Sequence, residues 1–180
     1  MATLEREGVA AFTTRKVASE ADTSTNALYE LFGDKAGLVR EVFFEGFRIL
    51  WRRLGEHEST DDPRSDLLVT LGTIRSFVGE KPVLATVMFS RPFTDFDPGP
   101  DEARAGRGVR ELVVDRVRRF LEAEALVGDE TDIAHVLLAV VQGLAAQEAA
   151  GWLGSSAPSV DRRWDLALHT VLDGLNAPKG

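Results

Sequence analysis

Cysteine is absent from the 180 residues, so neither a disulfide framework nor a thiolate metal site can form. That absence fits a reducing cytoplasm, the compartment expected for this chain. Histidine is nearly as scarce: His57, His135 and His169 lie far apart and lack the spacing of a ligand set, so no metal is expected. His135 falls in a strongly apolar segment, where a satisfied core histidine is the expected role. No apolar run is long enough to span a bilayer, and the first residues lack the charged and apolar regions of a signal peptide. There is no Gly-rich phosphate loop, nucleophile elbow or His-Glu zinc motif, and hence no candidate for catalysis and no cofactor expected. Strand-like alternation, internal repeats and low-complexity tracts are missing too.

Positive charge is in deficit. The chain carries 21 Lys and Arg against 29 Asp and Glu, a formal charge of −8, which is the wrong sign for wrapping nucleic acid by bulk attraction. The distribution says more. Met1 to Gly55 holds eight basic and eight acidic residues, so the whole deficit lies beyond it. A neutral N-terminal part can still hold phosphates locally through helix N-termini, hydroxyls and a few cations. An acidic remainder is repelled from a duplex and suits regulation or dimerisation.

What is present is helical periodicity. Leu38, Val39, Val42, Phe43, Phe47, Leu50 and Leu54 form one apolar face of a helix over 35–54, after a Gly33-Asp34 break and cap. Asp62-Pro63 starts the next, with Leu67, Leu68, Leu71, Ile74, Phe77 and Val78 at amphipathic spacing, and Gly79 to Pro82 ends it. A short helix runs through Met88 and Phe89, followed by the loop Ser90–Pro100 with Phe93 and Phe96. A long helix is expected from Asp101 to about Ala125. A second, from Glu130 to Trp152, is apolar almost all round and so buried on more than one side. The last follows Pro158-Ser159 and ends near Gly174. The acidic clusters Asp61-Asp62 and Asp129, Glu130, Asp132 sit at helix starts, where they compensate the dipole.

The stretch 13–32, TTRKVASEADTSTNALYELF, organises the rest. Val17, Ala18 and Ala21 recur at helical spacing in its first half, and Ala27, Leu28, Leu31 and Phe32 in its second. Asp22-Thr23-Ser24 breaks the two, and Ser24 or Thr25 can cap the second helix. This is a helix-turn-helix, whose second helix enters the major groove. On that reading Thr25, Asn26 and Glu30 are its exposed side chains. Asn pairs with adenine and Thr meets a thymine methyl, so Thr25 and Asn26 are the candidate base contacts.

TTRKVA followed by TSTNALYELFGDKAGLVREVF resembles the DNA-binding head of the tetracycline-repressor (TetR) family, through Thr13, Thr14, Leu28, Tyr29, Phe32 and Lys35. Asp22 stands where that family usually has Gly, and Thr23 where it usually has Val. The resemblance implies that Arg15 contacts guanine, and that Thr14, Tyr29 and Lys35 clamp phosphates, Lys35 aided by its helix N-terminus. It also implies a full first helix. Only Leu4–Glu7 before Gly8 remains of it, so the first helix reads as truncated: either the true start lies upstream of Met1 or this chain begins late.

The fold class expected is therefore all-α: a three-helix helix-turn-helix head at 1–54, including the connecting helix, and a helical ligand-binding and dimerisation domain at 55–180. The family dimerises through its last two helices, and the small-residue surface around Ala145 and Ala149 makes Ala145, Ala149, Trp152, Trp164, Leu168 and Leu172 the interface candidates. Phe77, Met88, Phe89, Phe93, Phe96 and Gln142 are candidates to line an effector pocket, although aromatic and Met residues at helical spacing are more often ordinary core. The partners expected are a double-stranded DNA operator, an unidentified small-molecule effector and a second copy of the chain, with no membrane. The function expected is ligand-responsive repression. Taken singly, Thr13, Thr14, Ser24 and Thr25 are equally plain helix caps, and a helical protein–protein adaptor without DNA binding stays open as the alternative.

Overall fold

Asp34, Asp62 and Asp129 each stand one residue before a helix, and each turns its carboxylate onto that helix's unpaired amides. Asp34 Oδ1 accepts from Gly37 N at 2.7 Å, Asp62 Oδ1 from Ser65 N at 3.0 Å, and Asp129 Oδ1 from Thr131 N and Asp132 N at 2.9 Å each. The acidic clusters read as dipole compensation thus include direct caps. Gly33, with φ of 79°, supplies the left-handed turn that leads into the first of these helices.

The computed structural model describes residues 24, 26, 27, 30, 33–90 and 99–175, apart from the side chains of Lys35, Val83 and Ser90. Six helices are complete within them: α1 (Lys35–Gly55), α2 (Pro63–Glu80), α3 (Pro82–Ser90), α4 (Pro100–Ala123), α5 (Glu130–Ala149) and α6 (Ala157–Gly174). No strand occurs among the described residues. The all-α class with a helical C-terminal body is the one the periodicity implied. The expected first helix and the first helix of the turn motif lie outside the described residues.

These helices divide between two units. The first takes the described residues up to Ile49 together with Lys81–Gly106, and the second takes Leu50–Glu80 with Arg107 onward. The cut therefore falls inside α1 and α4, and α3 joins the N-terminal unit instead of the body.

In the first unit Val39, Phe43 and Val87 are buried, with Val42, Phe44, Phe47 and Ala105 packed around them. Phe43 and Phe47 approach at 4.9 Å between ring centroids, and Phe47 meets Phe89 edge-on at 6.2 Å. Glycine makes the close approach possible here: Met88 lies directly against Gly46, where even a methyl group would collide with it.

The second unit has Leu50, Leu67, Leu71, Phe77, Val113, Val117, Phe120, Leu137 and Leu172 in its interior. A charged cluster ties three of its helices together. Arg75 of α2 makes paired hydrogen bonds to Glu148 of α5 at 3.0 and 2.9 Å and one to Asp161 of α6 at 2.8 Å. Its guanidinium also lies 4.8 Å over the Trp164 ring. The Arg75 hydrogen bonds hold Glu148 below the usual carboxylate range, against the opposing effect of burial.

Candidate nucleic-acid interface

Ser24 is the cap of the second helix of the turn motif. Its Oγ accepts from the Ala27 amide at 3.1 Å, Asn26 and Ala27 follow in helical conformation, and this satisfies one of the donors left free at a helix start. Asn26 in that first turn is exposed, and so is Glu30, one turn further on. Ala27 between them is half-buried. A free carboxamide at the amino end of a capped helix has the donor and acceptor pair needed to meet an adenine edge. Lys35 opens α1, directly after the Asp34 cap. The other four DNA-binding candidates, Thr14, Arg15, Thr25 and Tyr29, lie outside the described residues.

The described effector candidates fall in both units. Phe77 is wholly buried in the second unit, with the Arg53 guanidinium 5.8 Å from its ring, and Gln142 is half-buried on α5 of that unit. Met88, buried, and Phe89, half-buried, belong to the first. Phe93 and Phe96 lie outside the described residues.

Four of the six interface candidates point inward. Ala145, Trp164, Leu168 and Leu172 are between 0% and 6% exposed within the single chain, so they offer no surface to a second copy. Trp164 donates its indole N–H to Glu148 inside this core. Ala149 and Trp152 are exposed, Trp152 just beyond the end of α5, which stops at Ala149 and not at Trp152 as the spacing suggested. Nor is α5 covered all round. Ala134, Leu137, Val141 and Ala145 face the core, whereas Val136, Ala139, Gly143, Ala146 and Ala150 leave a small apolar stripe on the opposite side. Leu166, 68% exposed, extends outward from α6. His135 lies on the solvent side as well, its Nδ1 2.8 Å from the Thr131 carbonyl, so it is no core histidine.

The residues that sequence reasoning missed form a polar clamp in the second unit. Asp66 and Arg116 are buried on apolar helix faces, on either side of the segment joining α1 to α2. Arg116 donates to Ser59 Oγ and, at 2.9 Å, to the His57 carbonyl. Asp66 accepts from the Thr60 hydroxyl at 2.7 Å, the Thr60 amide at 2.9 Å and Arg119 at 2.8 Å. The Thr60 hydroxyl and amide, followed by Arg119 and Arg116, outweigh burial and pull its pKa from 3.8 to about 2. An open cleft of about 490 Å³ adjoins the clamp, lined by Glu56, His57, Glu58, Thr60, Ser65, Asp66, Val69 and Arg116. Among the described residues no buried side-chain nitrogen or oxygen lacks a partner, so the clamp's polar groups hold the linker. The signal for it was present in the sequence: an Arg among Val109, Val113, Val117 and Phe120 on one helix face requires a buried acid.

Residues 67–171 match the model of the tetracyclin repressor-like C-terminal domain, more than half of the chain, and residues 1–42 match that of the bacterial regulatory proteins of the tetR family. The chain belongs to the TetR family. It is accordingly a helix-turn-helix DNA-binding transcription regulator. Solved structures agree with this TetR fold. A protein of unknown function from Rhodococcus sp. RHA1 is 28% identical, with a TM-score of 0.72 over 96% of this chain and 89% of that one. The TetR-family transcriptional regulator PfmR from Thermus thermophilus is 15% identical, with a TM-score of 0.72 over 94% and 92%. A tetR-family bacterial regulatory protein from Rhodococcus RHA1 is 19% identical, with a TM-score of 0.67 over 92% and 88%. No curated protein matches the TetR-family chain. Among its described residues, no helix is long and apolar enough to cross a membrane.

Proposed function

We propose that this TetR-family regulator is a homodimeric, ligand-responsive repressor that holds a palindromic operator and is released from it by a small molecule. The observation that carries the reading is the exposed Asn26 in the first turn of the Ser24-capped helix. Thr25 and Asn26 read base edges, Arg15 reads guanine, and Thr14, Tyr29 and Lys35 hold phosphates, which fix register without reading sequence. Two heads then address half-sites about 34–36 Å apart, one helical turn.

The uncovered stripe of α5 and the outward Leu166 of α6 support pairing with a second copy. An interface on that side needs none of the inward Trp164, Leu168 or Leu172. Of the residues first expected, Ala149 and Trp152 remain at its margin.

Release needs an effector with different affinities for the two head arrangements; tight binding alone shifts nothing. Met88 supports a route for this, because its side chain packs directly against Gly46 and so links α3 to α1. A mainly apolar molecule that displaced Met88 or its neighbour Phe89 would press on the helix leading to the reading head.

The test is a mobility-shift assay on the intergenic DNA upstream of the coding sequence. The proposal expects a retarded complex that weakens steeply as salt rises, since each phosphate neutralised releases counterions. A protein that leaves that DNA unshifted at low salt, and also leaves a random-sequence pool unenriched, is not this repressor.

A further inference from the structure

Glu102 is 3% exposed, and a carboxylate so deeply buried stays charged only if cations and donors surround it. Its two oxygens are divided. Oε1 takes the Arg40 Nε hydrogen bond at 2.5 Å, and Oε2 takes the Gly99 amide at 2.9 Å. Burial by itself would raise the Glu102 pKa, but the amide donors and Arg40 together bring it below the ordinary value.

The pair is asymmetric. Arg40 is half exposed and could be solvated elsewhere at little cost, whereas Glu102 has water on almost no side. The position matters as much as the burial. Arg40 lies on α1 five residues after Lys35, where the chain leaves the helix-turn-helix, and Glu102 lies in the first turn of α4. This ion pair therefore joins two helices of the first unit, whereas Arg48–Glu45 and Arg104–Asp101 each stay within a single helix.

We infer that the Arg40–Glu102 pair is a regulatory latch that fixes the head end of α1 against the start of α4, and that the operator-binding arrangement requires it closed. The inference rests on the DNA-binding reading. Both are positioning residues and neither touches DNA. Any event that turns the Gly99 end of α4 must also move the carboxylate that holds α1, because one side chain serves both.

The experiment uses the full-length protein and a duplex that the wild type has enriched from a random library. Arg40→Gln, Glu102→Gln and the double variant are compared by fluorescence anisotropy, with urea midpoints measured in parallel. Both substitutions remove one charge and keep hydrogen-bonding capacity. The latch predicts that each single variant, still folded, loses about tenfold in affinity, the usual scale of a coupling between sites, and that the double variant loses no more than either. Folded variants that bind as tightly as wild type would overturn it. So would loss in Arg40→Gln with unchanged or tighter binding in Glu102→Gln, because Arg40 would then be a phosphate ligand that Glu102 restrains. A wild-type protein that enriches no duplex would remove the DNA-binding reading and the latch together.

Discussion

Trp164 Nε1 donates to Glu148 Oε2 at 2.7 Å, beneath an Arg75 guanidinium that pairs with the same carboxylate. Trp164→Phe keeps most of the buried ring and removes the donor, so it should cost about 1.5–3 kcal/mol, the range for a hydrogen bond to a charged group. Trp164→Ala also empties the core position and should cost about 3–5 kcal/mol. Urea unfolding of the two variants checks the order, and equal midpoints for Trp164→Phe and wild type would mean that the hydrogen bond contributes nothing.

Asp66 gives a pH dependence with a definite sign. Its carboxylate is more acidic in the folded chain than its ordinary value of 3.8, so the folded state favours the charged form. The stability this adds is fully present above pH 3.8 and is lost as pH falls through about 2. Wild type should therefore lose urea resistance across that window more steeply than Asp66→Asn, which has no proton to bind. Parallel pH profiles would contradict the clamp.

The stripe on α5 and α6 predicts what breaks the dimer. Leu166→Glu and Gly143→Glu put charge on the outward face and should shift the molecular mass from dimer to monomer in size-exclusion chromatography with light scattering, with helical circular dichroism retained. Val127→Glu is the control, since Val127 is 86% exposed but sits in the turn between α4 and α5. A Leu166→Glu protein that still runs as a dimer would place the interface elsewhere.

The helices were legible in the sequence because their apolar periods are long and their starts are marked by Asp34, Asp62 and Asp129. Ends were less legible. The helix expected to run to Trp152 stops at Ala149, just before Gly151 turns the backbone with a φ of 74°. The direction of an apolar face was legible, but not what covers it. Trp164, Leu168 and Leu172 share a stripe that serves a core or an interface equally well, and only the packing of α6 onto α5 turns it inward. Nor does spacing reveal which acid answers Arg116, because Asp66 lies fifty residues away along the chain and joins it through the fold. At the candidate site, the Ser24 cap and the exposure of Asn26 were readable from the motif because capping is local chemistry.

The most direct measurement of the central claim is the base preference of Asn26→Ala beside wild type, by selection from a random duplex library with anisotropy titrations across salt. If the Ser24-capped helix reads the major groove, wild type enriches a palindrome and binds it with a steep salt dependence. Asn26→Ala should then relax the preference at one position of each half-site, at a cost of about 1–3 kcal/mol. Identical enriched sequences and affinities for the two proteins would contradict the account.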